Sequence, residues 1–236
     1  MAAGKGERLE GLTENIPKAL IELNNKALLS HVINMARYID VDKIIIIGGS
    51  RHELLKNYLK DLNNEIILIE NKQFCWGNLH TLNKAIDYIE DDFLLFNVDH
   101  VFSRKILSNF LANKDQYKNI ISFCDENELA DDQMRIKTRG SNLQVMAKYL
   151  ESWDTGYIGL TYCPKLMLDS YKDACLKVLD IKQESAFVED VLNYLSQNNF
   201  DIQCLDIDNE LWFEVDTKKD LDMAEKIMKN NRNSFL

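Results

Sequence analysis

Short apolar runs alternate with amphipathic stretches along the first half of the chain. Residues 43–49, 65–70, 93–99 and 119–125 are continuous, apolar and too brief for helices, which is typical of strands buried on both faces. Between them, apolar residues recur at helical spacing over 27–38, 51–62, 78–90 and 103–112. This alternation predicts an α/β fold with helices on both faces of a mostly parallel sheet.

The pattern changes after about residue 125. The polar stretch 125–142 has little periodicity, and both a hairpin and a mobile flap are open interpretations. We predict further strands and helices, and a frayed tail over 231–236 that leaves 1–230 as a single domain. Thr217, followed three residues later by Asp220, predicts the cap of the last helix. The predicted strands are 155–163, 200–208 and 211–216, and the predicted helices are 165–178, 185–197 and 217–229.

Charge and composition narrow the class of partner. The chain has 236 residues, 46% of them hydrophobic, and a formal net charge of -10, which disfavours binding to nucleic acid or to an anionic membrane surface. A small anionic substrate would need a local cluster of cations or a metal ion. The five cysteines are irregularly spaced without a CxxC pair, and no apolar run reaches the length of a membrane span or of a signal peptide core. These features predict a cytoplasmic protein.

The first twenty residues contain a candidate phosphate-binding loop. Gly4 and Gly6 allow backbone N–H groups to approach an anion closely, and Lys5, Arg8 and Lys18 supply positive charge within an acidic chain. An isolated GxG is more often a plain surface loop, and neither the Walker motif nor the dinucleotide fingerprint fits this segment. The longer string AAGKGERL…LT…PKAL, however, fixes some ten positions at set spacing.

That string resembles the signature of the nucleoside-triphosphate transferases, or sugar-phosphate nucleotidyltransferases. NVDHVF, WFEVDTKKDL, NKQFCWGNLHTL and DTGYIGL resemble further segments of the family, so the likeness runs over essentially the whole chain. His100 after Asp99 looks most like the inositol-1-phosphate cytidylyltransferases, with phosphocholine cytidylyltransferases as a second branch. The resemblance implies a Rossmann-like, three-layer α/β/α fold of the GT-A type with a mixed, mostly parallel sheet.

The resemblance also implies residue roles for an Mg²⁺-dependent enzyme. The implied catalytic residues are Arg8, Lys18, Asp99 and Asp216, of which Asp99 and Asp216 would bind Mg²⁺. The implied nucleotide-binding residues are Ala2, Ala3, Gly4, Lys5, Gly6, Glu7, Asn78 and Thr81, and the implied acceptor-binding residues are His100, Lys148, Thr155, Gly156, Glu189 and Asp190.

Simpler roles stay open for several of these residues. Asp99 and Asp216 are also suitable helix caps, Asn78 suits a helix N-cap, and Lys148 is a common kind of solvated lysine. Glu189 and Asp190 are about equally compatible with a charged helix surface. Glu214 is open as a partner of the metal ligands, as an alternative ligand or as an outward-facing strand residue.

We expect transfer of a nucleotidyl group to a small phosphorylated acceptor such as an inositol phosphate, a sugar phosphate or a phosphocholine-like compound, with release of pyrophosphate. The favoured group is CMP, transferred from CTP. Two alternatives come from other classes: a catalytically silent nucleotide-binding module of the same fold, and a sugar-nucleotide-dependent glycosyltransferase. The oligomeric state follows from no pattern in the chain.

The beginning of the chain departs from the family pattern. The family has a buried central strand immediately before its AAG segment, and here only Met1 precedes Ala2. A central strand is hydrogen-bonded on both sides, so its absence would leave backbone groups unpaired. We therefore expect that the first strand is missing from this chain and that residues upstream of Met1 were omitted, with a natural variant lacking one strand as the alternative.

Overall fold

The computed structural model describes residues 1–9, 11–62, 66–127 and 133–236. Two predicted segments, the strand 65–70 and the polar stretch 125–142, therefore lie partly outside the described residues. The strands are β1 (Glu22–Leu23), β2 (Lys26–Ala27), β3 (Ile44–Gly48), β4 (Ile66–Glu70), β5 (Phe93–Phe96), β6 (His100–Phe102), β7 (Ile120–Asp125), β8 (Met134–Arg139), β9 (Asn142–Ala147), β10 (Thr155–Cys163), β11 (Ile202–Asp206) and β12 (Trp212–Glu214). The helices are α1 (Leu28–Tyr38), α2 (His52–Leu59), α3 (Leu79–Asn83), α4 (Arg104–Asn113), α5 (Leu168–Lys182), α6 (Val188–Gln197) and α7 (Lys218–Asn230).

Contacts divide the chain into two compact units. Unit 1 comprises Met1–Cys75, Asn97–Ala112 and Glu210–Leu236, and unit 2 comprises Trp76–Phe96 and Asn113–Asn209. The single domain expected over 1–230 stays a prediction, and each unit is described by itself below.

Unit 1 is built on three small sheets. β3 and β4 form a parallel pair. β1 and β2 form an antiparallel pair, and so do β6 and β12. The first three residues lie beside β3, since the Ala2 N–H donates to the Ile47 carbonyl (2.8 Å) and the Ser50 N–H to the Ala3 carbonyl (3.1 Å). On the other side, the Val98 N–H donates to the Met1 carbonyl (2.9 Å). This segment is thus hydrogen-bonded on both sides, and the expectation of an omitted first strand stays a prediction.

The tail of unit 1 differs from the frayed end expected from the sequence. The Arg104 N–H donates to the Ser234 carbonyl (2.7 Å), and Phe235 is 4% exposed with its ring 5.3 Å from that of Phe213. Burial of the aromatic ring of Phe235 accounts for this difference. The predicted cap is confirmed, because the Thr217 N–H donates to Asp220 Oδ2 (2.7 Å) and the Asp220 N–H to Thr217 Oγ1 (3.2 Å).

Unit 2 contains a six-stranded mixed sheet in the order β5-β10-β7-β11-β9-β8. Among the described strands of this sheet, only β7 and β11 pair in parallel. β10 runs antiparallel to β5, β7 and β8, and β9 runs antiparallel to β8 and β11. The mixed α/β class is as expected, but the predominance of parallel pairs is wrong for the described strands. Continuous apolar runs record burial on both faces of a sheet, and they do not record the direction of a strand.

Of the two interpretations left open for the polar stretch 125–142, the structure supports the hairpin over the described residues. β8 and β9 pair in antiparallel across a tight turn at Gly140, whose φ is 62°. Positive φ is costly for most side chains, so a glycine suits this turn.

Candidate active site

The Gly-rich loop of unit 1 is anchored at Gly6. Gly6 has a φ of 70°, and its carbonyl accepts a hydrogen bond from Thr13 Oγ1 (3.0 Å). A Cβ at this position would lie 2.9 Å from Lys18 Cβ and 3.0 Å from Thr13 Cγ2, whereas a Cβ at Gly4 would meet nothing within 4 Å. The absence of a side chain at Gly6 therefore lets the loop pack directly against Lys18.

Lys18 is held between two carboxylates. Its Nζ donates to Asp99 Oδ2 (2.5 Å) and to Asp216 Oδ1, while the guanidinium of Arg8 donates to Asp216 Oδ2. The three residues are distant in sequence: Lys18 follows Pro17, Asp99 lies between β5 and β6, and Asp216 precedes α7. The Val215 N–H donates to the Asp99 carbonyl (2.9 Å), which holds the two acidic segments side by side. The structure thus brings all four predicted catalytic residues together.

Burial sets the electrostatics of this cluster. Lys18 is buried, with 6% of its surface exposed. Burial by itself would lower the pKa of Lys18, but Asp99 and Asp216 raise it above its usual value. For Asp99, burial opposes ionisation, yet Lys18 and His100 hold its pKa well below its usual range. Lys18 is therefore protonated and Asp99 ionised across the physiological range of pH.

His100 and Glu214 extend the cluster. The imidazole Nδ1 of His100 lies 2.7 Å from Asp99 Oδ1, and its Nε2 lies 3.9 Å from Glu214 Oε2. Burial alone would lower the pKa of His100, but the neighbouring Asp99 carboxylate raises it. Burial raises the pKa of Glu214 to about 7, with Asp216 and Asp99 adding to the rise and His100 opposing it.

The acidic groups are chemically suited to a divalent cation. Asp99 and Asp216 already share one cation, the ammonium of Lys18. Asp99, His100 and Glu214 also offer one potential ligand atom each, all within 4.8 Å of one another. Mg²⁺ prefers oxygen ligands, so the oxygens of Asp99, Asp216 and Glu214 fit such an ion.

The remaining predicted residues of the loop have ordinary surroundings. Ala2 and Ala3 are buried at 4% and 5% exposure, and they set the path of the loop along β3. Lys5 Nζ lies 3.4 Å from Glu7 Oε1 and 5.9 Å from the centre of the Phe74 ring. The part of the loop around Gly4 is exposed, so its backbone N–H groups are accessible to an anion.

Unit 2 carries the other predicted nucleotide- and acceptor-binding residues. Asn78 Oδ1 accepts from the Val188 N–H (2.8 Å) at the start of α6. Asp190 accepts from the Phe187 N–H (2.9 Å) and from Lys182 Nζ (2.6 Å). Both side chains therefore satisfy N–H groups at the beginning of α6, and their ligand-binding roles stay predictions.

The other four predicted residues of the acceptor site, and Thr81, lie on different parts of unit 2. Thr81 is 5% exposed within α3, and Lys148 is exposed after β9. Thr155 and Gly156 begin the buried strand β10, and the Thr155 Oγ1 is buried without a hydrogen-bond partner among the described residues. Glu189 lies in the first turn of α6. These residues therefore all lie in unit 2, and their ligand-binding roles stay predictions.

Two residues of the cluster had no single role predicted from the sequence: Glu214 had three open roles, and Trp212 had none. The structure places Glu214 on β12, directly opposite His100 of β6. Trp212, two residues earlier on the same strand, stacks beside His100 with the ring centres 6.2 Å apart and the planes at 10°. The alternation Trp212, Glu214, Asp216 along one face of an extended segment was the signal available.

The fold is that of known nucleotidyltransferases. The solved structure described as the inositol-1-phosphate CTP transferase from T. maritima superposes with a TM-score of 0.79 and 20% identity, covering 97% of this chain and 94% of that one. This likeness confirms the expected GT-A-like α/β fold class. The chain belongs to the MobA-like NTP transferase domain family, whose model matches residues 1–168.

Two curated relatives are similar over nearly the whole chain. The "Bifunctional IPC transferase and DIPP synthase" of Aquifex aeolicus is 26% identical over 233 residues, covering 97% of this chain and 50% of the relative. The "CTP:phosphoglutamine cytidylyltransferase" of Campylobacter jejuni is 24% identical, covering 94% of this chain and 96% of the relative. The chain thus spans half the length of the Aquifex relative. No helix among the described residues is long and apolar enough to cross a membrane.

Proposed function

We propose that this chain is an Mg²⁺-dependent cytidylyltransferase that transfers CMP from CTP to a small phosphorylated acceptor and releases pyrophosphate. One observation carries the proposal: Lys18, Arg8, Asp99 and Asp216 form a single charged cluster against the Gly-rich loop. A plain surface loop does not need such a cluster, because burying charged groups is costly unless they pair with one another or bind a ligand.

The residues of unit 1 supply charge and position to the reaction. A phosphate oxygen of the acceptor attacks the α-phosphorus of CTP, the bond to the bridging oxygen of the β-phosphate breaks, and pyrophosphate leaves with that oxygen. The N–H groups around Gly4 and the half-exposed guanidinium of Arg8 bind the departing phosphates. Lys18 stabilises the negative charge that develops at the reacting phosphorus. No covalent intermediate with the protein is needed.

Asp99 and Asp216, with Glu214 beside them, would hold the magnesium ion. When bound, the ion supplies charge neutralisation at the phosphate oxygens, which two mutually repelling anions require. Lys18 and Arg8 occupy the same carboxylates, so the cluster keeps these acids ionised and close together.

The relatives support the choice of nucleotide and acceptor class. The names of the Campylobacter relative and of the T. maritima structure both specify CTP, and these proteins match this chain over nearly its full length. Their names specify phosphoglutamine and inositol 1-phosphate, which are both small phosphorylated compounds. We therefore favour a non-nucleotide, phosphorylated acceptor of that size.

A matrix of substrates tests the proposal. The protein is incubated with Mg²⁺, each of the four NTPs and a panel containing inositol 1-phosphate, phosphocholine, phosphoglutamine and hexose 1-phosphates, and pyrophosphate is measured. We expect release with CTP and at least one acceptor, and loss of that release in Asp99→Asn. Release no greater than that of Asp99→Asn with every pair would contradict the proposal and favour the silent nucleotide-binding module.

A further inference from the structure

The two oxygens of Asp99 have different partners. Oδ2 accepts from Lys18 Nζ at 2.5 Å, and Oδ1 lies 2.7 Å from His100 Nδ1. A carboxylate oxygen can only accept a hydrogen bond, so in the 2.7 Å contact Nδ1 of His100 is the donor. The plane of the Asp99 carboxylate is thereby defined by one donor on each side.

The imidazole of His100 is itself held by its surroundings. The residue is 5% exposed, its ring lies nearly parallel to that of Trp212, and β6 registers it opposite Glu214. The Nε2 to Glu214 Oε2 separation of 3.9 Å is beyond hydrogen-bonding distance. The strong, short contact of this ring is therefore the one to Asp99.

We propose that His100 is a positioning residue that orients Asp99 through its Nδ1–H, so that Oδ2 faces the cation site. This inference rests on the proposed function, in which Asp99 binds the metal ion. It differs from the acceptor-binding role expected from the sequence, because a ring so deeply buried and directed at Asp99 acts through that carboxylate. Magnesium tolerates little deviation from octahedral geometry, so a freely rotating carboxylate would be a poorer ligand.

Two amide substitutions distinguish the roles of the two ring nitrogens of His100. His100→Asn places its side-chain N–H₂ near the position of Nδ1, whereas His100→Gln reaches only toward the position of Nε2. His100→Ala removes both donors. Melting temperatures measured in EDTA identify any variant that has failed to fold, and the Asn and Gln variants provide a matched pair of the same chemistry.

Direct binding of Mn²⁺, a paramagnetic substitute for Mg²⁺, is measured by electron paramagnetic resonance on the whole chain without nucleotide. We expect His100→Asn to bind Mn²⁺ within about threefold of the wild type, and the Gln and Ala variants to bind about 10–100-fold more weakly, as for the loss of other groups that orient metal ligands. Wild-type affinity in the Gln and Ala variants would overturn the inference. So would an Asn variant as weak as Ala, or no Mn²⁺ binding by the wild type at millimolar concentration.

Steady-state kinetics separate this inference from the proposed function. Under saturating CTP, a positioning role predicts that His100→Gln lowers kcat while the KM for the acceptor stays within about twofold, and that His100→Asn restores kcat. A raised acceptor KM at unchanged kcat would instead indicate direct acceptor contact and overturn the inference. If the wild type releases no pyrophosphate with any substrate pair but the Mn²⁺ pattern holds, the proposed function fails while the role of His100 stands.

Discussion

The charged cluster of unit 1 and the ion pairs of unit 2 use the same residue types in different surroundings. Lys18 contacts Asp99 at 2.5 Å with both side chains at 15% exposure or less, while Lys165 contacts Asp91 at 2.8 Å with both more than 60% exposed. The two ion pairs have similar distances but different interaction energies, because water and salt screen the exposed pair much more than the buried one. Burial, more than distance, therefore distinguishes the cluster of unit 1 from the exposed ion pair of unit 2.

Lys18→Met should produce the largest change in stability. Without the ammonium, Asp99 and Asp216 are left close together and buried, and the loss expected for one partner of a buried ion pair is about 3 kcal/mol. Lys165→Met, the exposed control from unit 2, should lose less than about 1 kcal/mol. Urea denaturation in EDTA measures both, and equal losses in the two variants would remove the distinction between the regions.

The packing of the loop against Lys18 can be disturbed without removing a charge. Gly6→Ala introduces a Cβ 2.9 Å from Lys18 Cβ at a φ of 70°, and we expect it to lower the free energy of unfolding by about 2 kcal/mol. Gly4→Ala is the control, because its Cβ would meet nothing within 4 Å. Thermal melts of the two proteins give the comparison, and a Gly4 variant as unstable as the Gly6 variant would contradict it.

In unit 2, polar side chains satisfy local backbone groups, and a pair of substitutions at Asn78 sharpens that contrast. Asn78→Ala leaves the Val188 N–H without its acceptor and should cost about 1.5 kcal/mol. Asn78→Asp keeps an acceptor oxygen at the N-terminus of α6 and should retain wild-type stability. Chemical denaturation compares the three proteins. A similar loss in both variants would show that the hydrogen bond to Val188 is not what Asn78 contributes.

The smallest expected effect is a pH dependence from Glu214. Its folded pKa of about 7 lies above the usual 4.5, so its contribution to stability is present at low pH and is lost as the pH rises through about 7. Between pH 5 and 8 the wild type in EDTA should lose on the order of 1 kcal/mol on this account, since the side chain is partly open to solvent. Glu214→Gln should flatten that part of the curve, and an unchanged slope would contradict the assignment.

The sequence predicted the elements better than it predicted their pairing. The apolar runs located β3, β4, β5 and β7, because burial on both faces of a sheet leaves a continuous apolar run in the strand itself. Strand direction depends on partners distant in the chain, so the antiparallel placement of β10 was missed. The three-residue strand β6 lies between the predicted strand 93–99 and the predicted helix 103–112 and was not predicted, since so few residues carry no periodicity.

In the candidate site, too, local patterns predicted which residues take part, whereas their surroundings depend on residues distant in the chain. Arg8, Lys18, Asp99 and Asp216 were singled out by motif resemblance, and the structure brings them together. The burial of Lys18 followed from no local pattern, because it depends on carboxylates 81 and 198 residues away. For His100, residue type alone did not reveal that its Nδ1 is directed at Asp99.

The central claim is that the cluster of Lys18, Asp99 and Asp216 performs nucleotidyl transfer, and the fate of labelled phosphates tests it most directly. CTP labelled at the α-phosphate or at the γ-phosphate is incubated with Mg²⁺ and the acceptor panel, using the wild type and Asp216→Asn. We predict that the α-label appears in the acceptor product and the γ-label in pyrophosphate, and that Asp216→Asn abolishes both. Appearance of the γ-label as inorganic phosphate, or transfer undiminished in Asp216→Asn, would contradict the claim.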